Sequence, residues 1–285
     1  MTTLQAILKN TLKNTKDRAI KFSSFFNFLN NFDLVDILST IFLVSVLVKN
    51  YSYFLEQNRY LNILGIFAVL SIAYLFSNNR SRINFRLVRV ALALHYLIGF
   101  AVLRTATGHK VLSVLADGVS NLYLSADAGI NFLFGGLANA NSPWGFVFAF
   151  KVLPIIIFFG ALMSLLFYLG IVQRLVAVIN FFLQPILGTS GAETLCAVAN
   201  SFLGQTESPL LIRNYLPRMT KSEYMVIMVT GMGTISGSIL AVFASMGVPT
   251  IHLLGASVMA IPATIMIAKM LFPETEKPET MGGAA

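Results

Sequence analysis

Long apolar runs alternate with short polar segments along most of this chain, and most of the runs are long enough to cross a bilayer as helices. We predict membrane-spanning helices at about 34–48, 60–76, 87–103, 146–169, 222–246 and 251–271. A helix needs about 20 predominantly apolar residues to cross the hydrocarbon core of a membrane. The pattern therefore predicts an all-α polytopic membrane protein that lies in a lipid bilayer.

Residues 188–216 break this alternation, because a polar core, residues 204–209, lies between two apolar arms. Residues 189–203 would form a helix of about 22 Å, which is shorter than a hydrocarbon core of roughly 30 Å. Gly204 and Pro209 then interrupt the helix, since glycine permits unusual dihedral angles and proline removes a hydrogen-bond donor. The pattern favours a re-entrant hairpin with a polar tip, and an ordinary loop at the membrane surface is the alternative.

A second polar interruption lies inside the apolar run 222–246. Residues 230–238 contain three glycines and four hydroxyl side chains in the middle of this span. Small residues allow neighbouring helices to approach closely, which would explain the segment without any change in the helix. Alternatively, the helix is broken here and its freed carbonyl groups face a cation or a substrate. The pattern alone leaves both interpretations open.

Changes in composition divide the chain into five parts. We predict a cytoplasmic arm, N-terminal transmembrane helices, an interfacial helix with a loop, a core that contains the hairpin, and a disordered tail, at 1–33, 34–104, 105–145, 146–276 and 277–285 respectively. In the third part, apolar residues recur at helical spacing on one face of the segment 108–124. That segment is too polar to span the membrane, so we expect its helix to lie along the interface.

Composition supports the membrane assignment, and charge supplies an orientation. Of the 285 residues, 56% are hydrophobic and 11% are charged, whereas soluble domains carry about 25% charged residues. The formal net charge of +8 does not indicate a nucleic-acid partner, because the basic residues lie at the N-terminus and in short loops such as 80–89. Since cytoplasmic loops carry an excess of Lys and Arg, we predict a cell-membrane protein with a cytoplasmic N-terminus.

The sequence carries no recognisable catalytic or metal-binding pattern. Cys196 is the single cysteine, which excludes an intramolecular disulfide or a cysteine metal cluster, and the three histidines lack metal-ligand spacing. We therefore expect neither an enzyme nor a cofactor. The enzyme alternative is an intramembrane hydrolase that uses Glu193 or Glu207 as acid or base, and it is weakened by the lack of a partner carboxylate or histidine nearby.

Three motifs carry a resemblance to a known family: FKVLPIIIFF at 150–159, GTSGAE at 188–193 and NSFLGQTESPLLIR at 200–213. Over roughly residues 84–276, the chain resembles the concentrative nucleoside transporters, which couple nucleoside transport to sodium or protons. The resemblance implies a scaffold around a transport part made of two inverted repeats, each with a re-entrant hairpin and a broken helix. It also implies assembly as a homotrimer.

The resemblance implies a substrate site at the tip of the hairpin. Gln205, Thr206 and Glu207 would hydrogen-bond the nucleobase, and Gly204 would allow its close approach. The substrate would be a nucleoside, and these residues leave purine versus pyrimidine preference open.

The resemblance also implies a sodium ion between the hairpin tip and the broken helix. Its ligands would be oxygen atoms of the Asn200 side chain, Thr234, and the backbone carbonyls of Leu203 and Ile235. Oxygen ligands of this kind, freed at a helix break, suit a hard cation. Because Glu207 is ionisable, a proton is the alternative coupling ion.

One departure from the family concerns length. Members of the family carry a second hairpin and a second broken helix, and these have no counterpart here. The expected function is therefore cation-coupled symport of nucleosides that needs a missing C-terminal half. The alternatives are a truncated fragment that does not transport and a subunit of a split transporter, in which a separate polypeptide supplies the second repeat.

Overall fold

The computed structural model describes residues 34–49, 60–138, 143, 145 and 147–281. This part of the chain is all-α, with no strand among the described residues. Its eleven α-helices, α1 to α11, are Leu34–Lys49, Tyr60–Leu75, Phe85–Arg104, Ala106–Phe134, Phe148–Tyr168, Ile171–Leu187, Gly191–Asn200, Ser208–Leu211, Lys221–Gly233, Gly237–Ser245 and Thr250–Leu271. The expected cytoplasmic arm, 1–33, lies outside the described residues.

Four segments of the described chain are long and apolar enough to cross a membrane. They are Phe85–Val102, Phe148–Tyr168, Lys221–Ser245 and Thr250–Leu271, and each agrees with a predicted span. The described parts of α1 and α2 contain 16 residues each, which corresponds to about 24 Å of helix. These two predicted spans are thus helical but shorter than the other four.

The junction between α3 and α4 is fixed by side-chain caps. The Asn84 side chain accepts hydrogen bonds from the backbone N–H groups of Arg86 and Leu87, and so begins α3. Thr105 ends α3 and begins α4, because its hydroxyl oxygen accepts from the Gly108 N–H at 3.0 Å. The helix that we expected at 108–124 is longer than predicted, since α4 runs from Ala106 to Phe134.

The last helix, α11, packs against helices from both the N-terminal part and the hairpin region. Ile261 and Ile265 of α11 are almost fully buried in one core with Leu87 and Ala91 of α3. His95 Nδ1 also lies 2.9 Å from the Met259 carbonyl oxygen, which adds a polar contact along the same interface. Because this core includes residues of α7 and α9 as well, α11 connects the N-terminal helices to the hairpin.

The helix before the hairpin, α6, ends at a glycine. It continues through Gln184 and Pro185 to Leu187. Its end is set by Gly188, whose φ of 67° is left-handed and whose N–H donates to the Gln184 carbonyl at 2.8 Å. Glycine adopts this conformation without the steric cost that a Cβ atom brings, so the break lies where only glycine is unstrained.

The tail differs from the expected disorder as far as Met281. Thr280 is only 6% exposed. Its carbonyl and hydroxyl oxygens accept hydrogen bonds from the N–H groups of Gly191 and Ala192, at 3.0 and 3.2 Å. These are free donors at the start of α7, so the tail completes the cap of the hairpin helix. Residues 282–285 lie outside the described part.

Candidate functional site

The segment 188–216 forms a hairpin in which two short helices are joined by a turn. Its first arm is α7, Gly191–Asn200, and its second arm begins with α8, Ser208–Leu211. The predicted arm 189–203 is shortened at both ends. The turn is tight, because the backbone N–H groups of Glu207 and Ser208 both donate to the Gly204 carbonyl, at 3.0 and 3.1 Å. The hairpin is present, and its depth in a bilayer stays a prediction.

A capping box begins the first arm. Glu193 N–H donates to Ser190 Oγ at 3.4 Å, and the Glu193 carboxylate accepts from the Ser190 N–H at 2.8 Å. A second capping box, Thr220 with Glu223, begins α9. The two boxes are joined, since Ser190 Oγ donates to Glu223 Oε1 at 2.5 Å. The start of the hairpin is therefore anchored to the start of α9, the helix that follows it.

Lys269 of α11 completes this polar base. Its ammonium group lies 2.7 Å from Glu193 Oε2 and 3.2 Å from Glu274 Oε2, and it donates to Ser222 Oγ at 3.0 Å. The side chains of Lys269 and Glu193 are 8% and 1% exposed, so each buried charge has an opposite charge as its partner. A cavity of about 250 Å³ lies beside this base, and Lys269, Glu193 and Glu274 are among its lining residues.

Local sequence patterns that the predictions above did not include point to this polar base. Serine or threonine followed three residues later by glutamate, as in Ser190 with Glu193 and Thr220 with Glu223, is typical of a capping box. A single lysine in an apolar run, such as Lys269, also indicates a buried partner. The long-range pairing of Lys269 with Glu193 has no local signal, because the two residues are 76 positions apart (269 minus 193).

The run 222–246 is a broken helix. Helix α9 ends at Gly233 and α10 begins at Gly237, and the backbone of Thr234 is extended, with φ of −123° and ψ of 158°. The close-packing interpretation holds as well. A Cβ atom on Gly233 would lie 2.5 Å from Thr264 Cγ2 of α11, and one on Gly237 would lie 3.0 Å from the Phe202 carbonyl oxygen. The helix is therefore broken, as the second interpretation expected, and its glycines also allow close packing; that the freed carbonyl groups face a cation or a substrate stays a prediction.

The hairpin tip packs against this break. The Gly237 N–H donates to the Phe202 carbonyl at 3.2 Å. A Cβ atom on Gly231 would lie 3.1 Å from Gln205 Cβ, so the tip residue packs directly on the helix before the break. A cation between tip and break would thus be close to both elements.

The four residues expected to bind the base lie together in the turn at the tip. Gln205, Thr206 and Glu207 are exposed, and Gly204 is half-buried. Glu207 Oε2 accepts a hydrogen bond from the Gly204 N–H at 3.4 Å. An ionised carboxylate can accept several hydrogen bonds, so this contact leaves acceptor positions on Glu207 for a ligand.

The residues expected to bind sodium lie at the contact between tip and break. Asn200 is 1% exposed, and its Nδ2 donates to Thr230 Oγ1 at 3.1 Å. Thr234 Oγ1 donates to the Thr230 carbonyl at 2.8 Å. Within the described part of the chain, the carbonyl oxygens of Leu203 and Ile235 accept no hydrogen bond. Free carbonyls, an amide and a hydroxyl are the neutral oxygen donors that fit a monovalent cation.

Clusters of ionisable metal ligands are not part of this arrangement. No group of three or more His, Cys, Asp or Glu side chains that could hold a metal ion occurs among the described residues. Cys196 is buried, and its Sγ lies 3.7 Å from Ser208 Oγ, between the two arms. The residues expected to bind sodium, Asn200, Leu203, Thr234 and Ile235, offer neutral oxygen atoms.

A hairpin seated on a broken helix, within a bundle of apolar membrane helices, defines an all-α membrane transporter. Residues 64–137 match the family described as the N-terminus of Na+ dependent nucleoside transporters, and residues 149–250 match the family described as nucleoside recognition. The chain belongs to the concentrative nucleoside transporter family and is a multi-pass membrane protein.

Individual relatives agree with this family. An uncharacterized transporter of Haemophilus influenzae is 50% identical over 218 residues, which cover 76% of this chain and 52% of the relative. The nucleoside permease NupC of Helicobacter pylori is 40% identical over 75% of this chain and 52% of its own length. The chain thus spans about half the length of these relatives.

A solved structure has a similar fold. The structure of CNTnw in an inward-facing substrate-bound state aligns with a TM-score of 0.73 at 43% sequence identity. The alignment covers 76% of this chain and 53% of that chain.

Proposed function

We propose that this chain takes part in cation-coupled symport of nucleosides, and that its hairpin tip binds the nucleobase. The observation that carries the proposal is the position of the tip. Exposed Gln205, Thr206 and Glu207 lie on a turn that packs against a helix break. The names of the matching families, which include nucleoside recognition, support the same substrate class.

The chemistry of the tip suits the polar edge of a nucleobase. The Gln205 amide both donates and accepts, the Thr206 hydroxyl does the same, and the Glu207 carboxylate accepts. Purines and pyrimidines both present donors and acceptors along their edges, so these side chains serve either ring. Gly204 presents no side chain, which keeps the backbone accessible to the ring.

Sodium is the coupling ion that we propose. The oxygen atoms of Asn200, Thr234, Leu203 and Ile235 are neutral, so a captured monovalent cation would keep its charge without a carboxylate partner. A proton is the alternative, with Glu207 as the group that carries it. The description of one matching family as Na+ dependent supports sodium.

The described residues supply one half of the site in this proposal. Transport belongs to an assembly in which a second repeat, from a longer protein or a separate polypeptide, completes the substrate site. We propose a homotrimer in the cell membrane, with the N-terminus and the basic loop 80–89 on the cytoplasmic side. A fragment that does not transport on its own is the alternative.

An intramembrane hydrolase is less consistent with the site. Glu193 is occupied by its ion pair with Lys269 and by the capping box, so it is placed to hold helices together. The Glu207 carboxylate accepts a hydrogen bond from the Gly204 N–H, and no hydrogen bond or ion pair joins it to an acid or a histidine among the described residues. Glu193 has Glu223 nearby through Ser190 Oγ, but both carboxylates accept hydrogen bonds in capping boxes, which is a structural role and not the free acid–base pair that catalysis uses.

The test is nucleoside binding by Glu207→Gln. Loss of a charged acceptor costs roughly 1.5–3 kcal/mol, so we expect uridine affinity to fall at least about tenfold. Glu276→Gln, an exposed acid remote from the tip, is the matched control and should bind normally. Binding is measured by calorimetry in sodium and in choline, and transport is measured as uptake of labelled uridine. Both measurements are made with and without a supplied second repeat. Unaltered affinity in Glu207→Gln would contradict the proposed site.

A further inference from the structure

We propose that Ser208 and Thr230 are positioning residues that fix the Asn200 amide, so that its oxygen is presented for the coupling cation. Both residues lie beyond the ligands that the family resemblance implies. The role in cation capture rests on the proposed function, whereas the hydrogen-bond geometry does not. The inference joins three elements, because Ser208 begins α8, Asn200 ends α7, and Thr230 lies in α9.

Thr230 determines which way the amide points. Its hydroxyl donates to the Val226 carbonyl at 2.7 Å, within its own helix. A hydroxyl has one hydrogen, so Thr230 Oγ1 can only accept from any further partner. The atom of Asn200 that faces it, at 3.1 Å, must therefore be the donor Nδ2. This contact assigns the amide from chemistry, and the oxygen Oδ1 points to the opposite side.

Ser208 holds that oxygen. Its hydroxyl donates to Asn200 Oδ1 at 2.6 Å, and Cys196 Sγ donates in turn to Ser208 Oγ at 3.7 Å. The hydrogen bonds all run in one direction, from Cys196 through Ser208 and Asn200 to Thr230. Ser208, Cys196 and Thr230 are fully buried. A satisfied network of this kind is rigid, and a broken one is costly, because water cannot replace the lost partner.

The network leaves capacity for a cation. A carbonyl-type oxygen has two lone pairs, and Ser208 uses one of them on Asn200 Oδ1. No hydrogen bond in the described part of the chain uses the second lone pair, so it is available to a cation. An ion bound to Asn200 Oδ1 would connect both hairpin arms with α9. Asn200 belongs to the first arm, and its amide is hydrogen-bonded to Ser208 of the second arm and to Thr230 of α9.

We predict that substitutions in this network change the affinity for the cation rather than the affinity for the nucleobase. Ser208→Ala removes the only donor to Oδ1 in the described part of the chain, so the midpoint for sodium should rise about tenfold, as for a lost hydrogen bond in a buried site. Ser208→Cys keeps a weak donor of similar shape, and we expect a smaller rise of about threefold. Thr230→Val should raise the midpoint, and Thr230→Ser, which keeps the hydroxyl, should restore it.

The experiment is a sodium titration of thermal stability on the purified full chain in lipid nanodiscs. Sodium chloride replaces choline chloride at constant ionic strength, and the midpoint of the Tm increase is read for each variant. The matched control is Ser257→Ala, a buried serine of α11 whose hydroxyl has no hydrogen-bond partner among the described residues. It should leave the sodium midpoint unchanged.

The outcomes separate this inference from the proposed function. A raised midpoint in Ser208→Ala, with the control unchanged, supports the positioning role. A normal midpoint with a uniformly lowered Tm would show a structural role only and would overturn it. If Ser208→Ala does not fold, the sodium midpoints of Ser208→Cys, Thr230→Val and Thr230→Ser distinguish the two roles in the same way. If the unmodified chain responds equally to sodium and choline, sodium coupling itself is wrong, and the inference is overturned with it.

Discussion

Helices α5 and α7 are opposite in how the burial of their residues relates to polarity. In α5, three of 21 residues are buried, although almost every residue is apolar. In α7, nine of ten residues are buried, and they include Glu193, Thr194 and Asn200. A soluble protein would reverse this relation, with the apolar helix inside and the polar one outside.

The difference follows from the solvent that each helix meets. The outer face of α5 suits lipid, so its apolar residues need no protein partner. Helix α7 lies inside protein, where buried polar groups persist because each has a hydrogen-bond or ion-pair partner. Polar residues at the hairpin are thus supported by the base at one end and by the contact with the break at the other. The predictions below test whether the two regions depend on different interactions.

The largest effect is expected at the base of the hairpin. Lys269→Met leaves the Glu193 carboxylate buried without its cation, and breaking a buried pair in this way costs about 3–5 kcal/mol. Adding Glu193→Gln removes the unpaired charge and should recover most of the loss. The control is Ile157→Ala on α5, a side chain 72% exposed. Thermal unfolding in nanodiscs measures the stability of all three variants. Equal losses of stability in Lys269→Met and Ile157→Ala would contradict the contrast between the two regions.

An intermediate effect is expected from Gly233→Ala. The added methyl group would lie 2.5 Å from Thr264 Cγ2, and overpacking of this kind costs about 1–3 kcal/mol. Thr264→Ser removes the opposing methyl group, so the double variant should regain stability.

The matched change on α5 is Gly160→Ala. Nothing lies within 4 Å of a Cβ atom at Gly160, and alanine favours a helix over glycine by about 1 kcal/mol. This variant should therefore be as stable as the unmodified chain or more so. A loss of Tm at Gly160 as large as that at Gly233 would show that the clash is not the cause.

The smallest effect is expected at the helix caps. Asn84→Ala removes the N-cap of α3, which costs about 1 kcal/mol. Helix α5 begins at Val147 without a side-chain cap, so Val147→Ala should change little. Hydrogen exchange of the first turn of each helix is the measurement. Unchanged exchange at residues 86 and 87 in Asn84→Ala would contradict the role of the cap.

Much of this arrangement could be predicted from the sequence because it is local. The apolar runs predict the spans, and Gly204 and Pro209 predict the turn. The glycines at 230–238 marked the segment of the break, but their pattern left close helix packing open as well. The end of α4 was predicted less accurately. This helix extends past Leu124 to Phe134, and the small and acidic residues at 125–129 interrupt the periodic apolar signal there.

The remaining features depend on contacts between distant parts of the chain. The pairing of Lys269 with Glu193, and the cap that Thr280 places on α7, join segments far apart in sequence. Hydropathy describes each of these residues separately, so it cannot report the partner. The Asn200 network is similar, because it forms only where Ser208 and Thr230 approach Asn200 from two other helices.

The central claim is that the hairpin tip lies within the membrane and binds a nucleobase beside a cation. The most direct measurement is the labelling rate of Thr206→Cys by a membrane-impermeant thiol reagent, with and without uridine and sodium. Cys196 is 0% exposed and gives no background, and Glu279→Cys in the tail provides the freely accessible reference. We predict slow labelling at position 206 and strong protection by uridine with sodium. Labelling as fast as at position 279, with no protection by uridine, would contradict the claim.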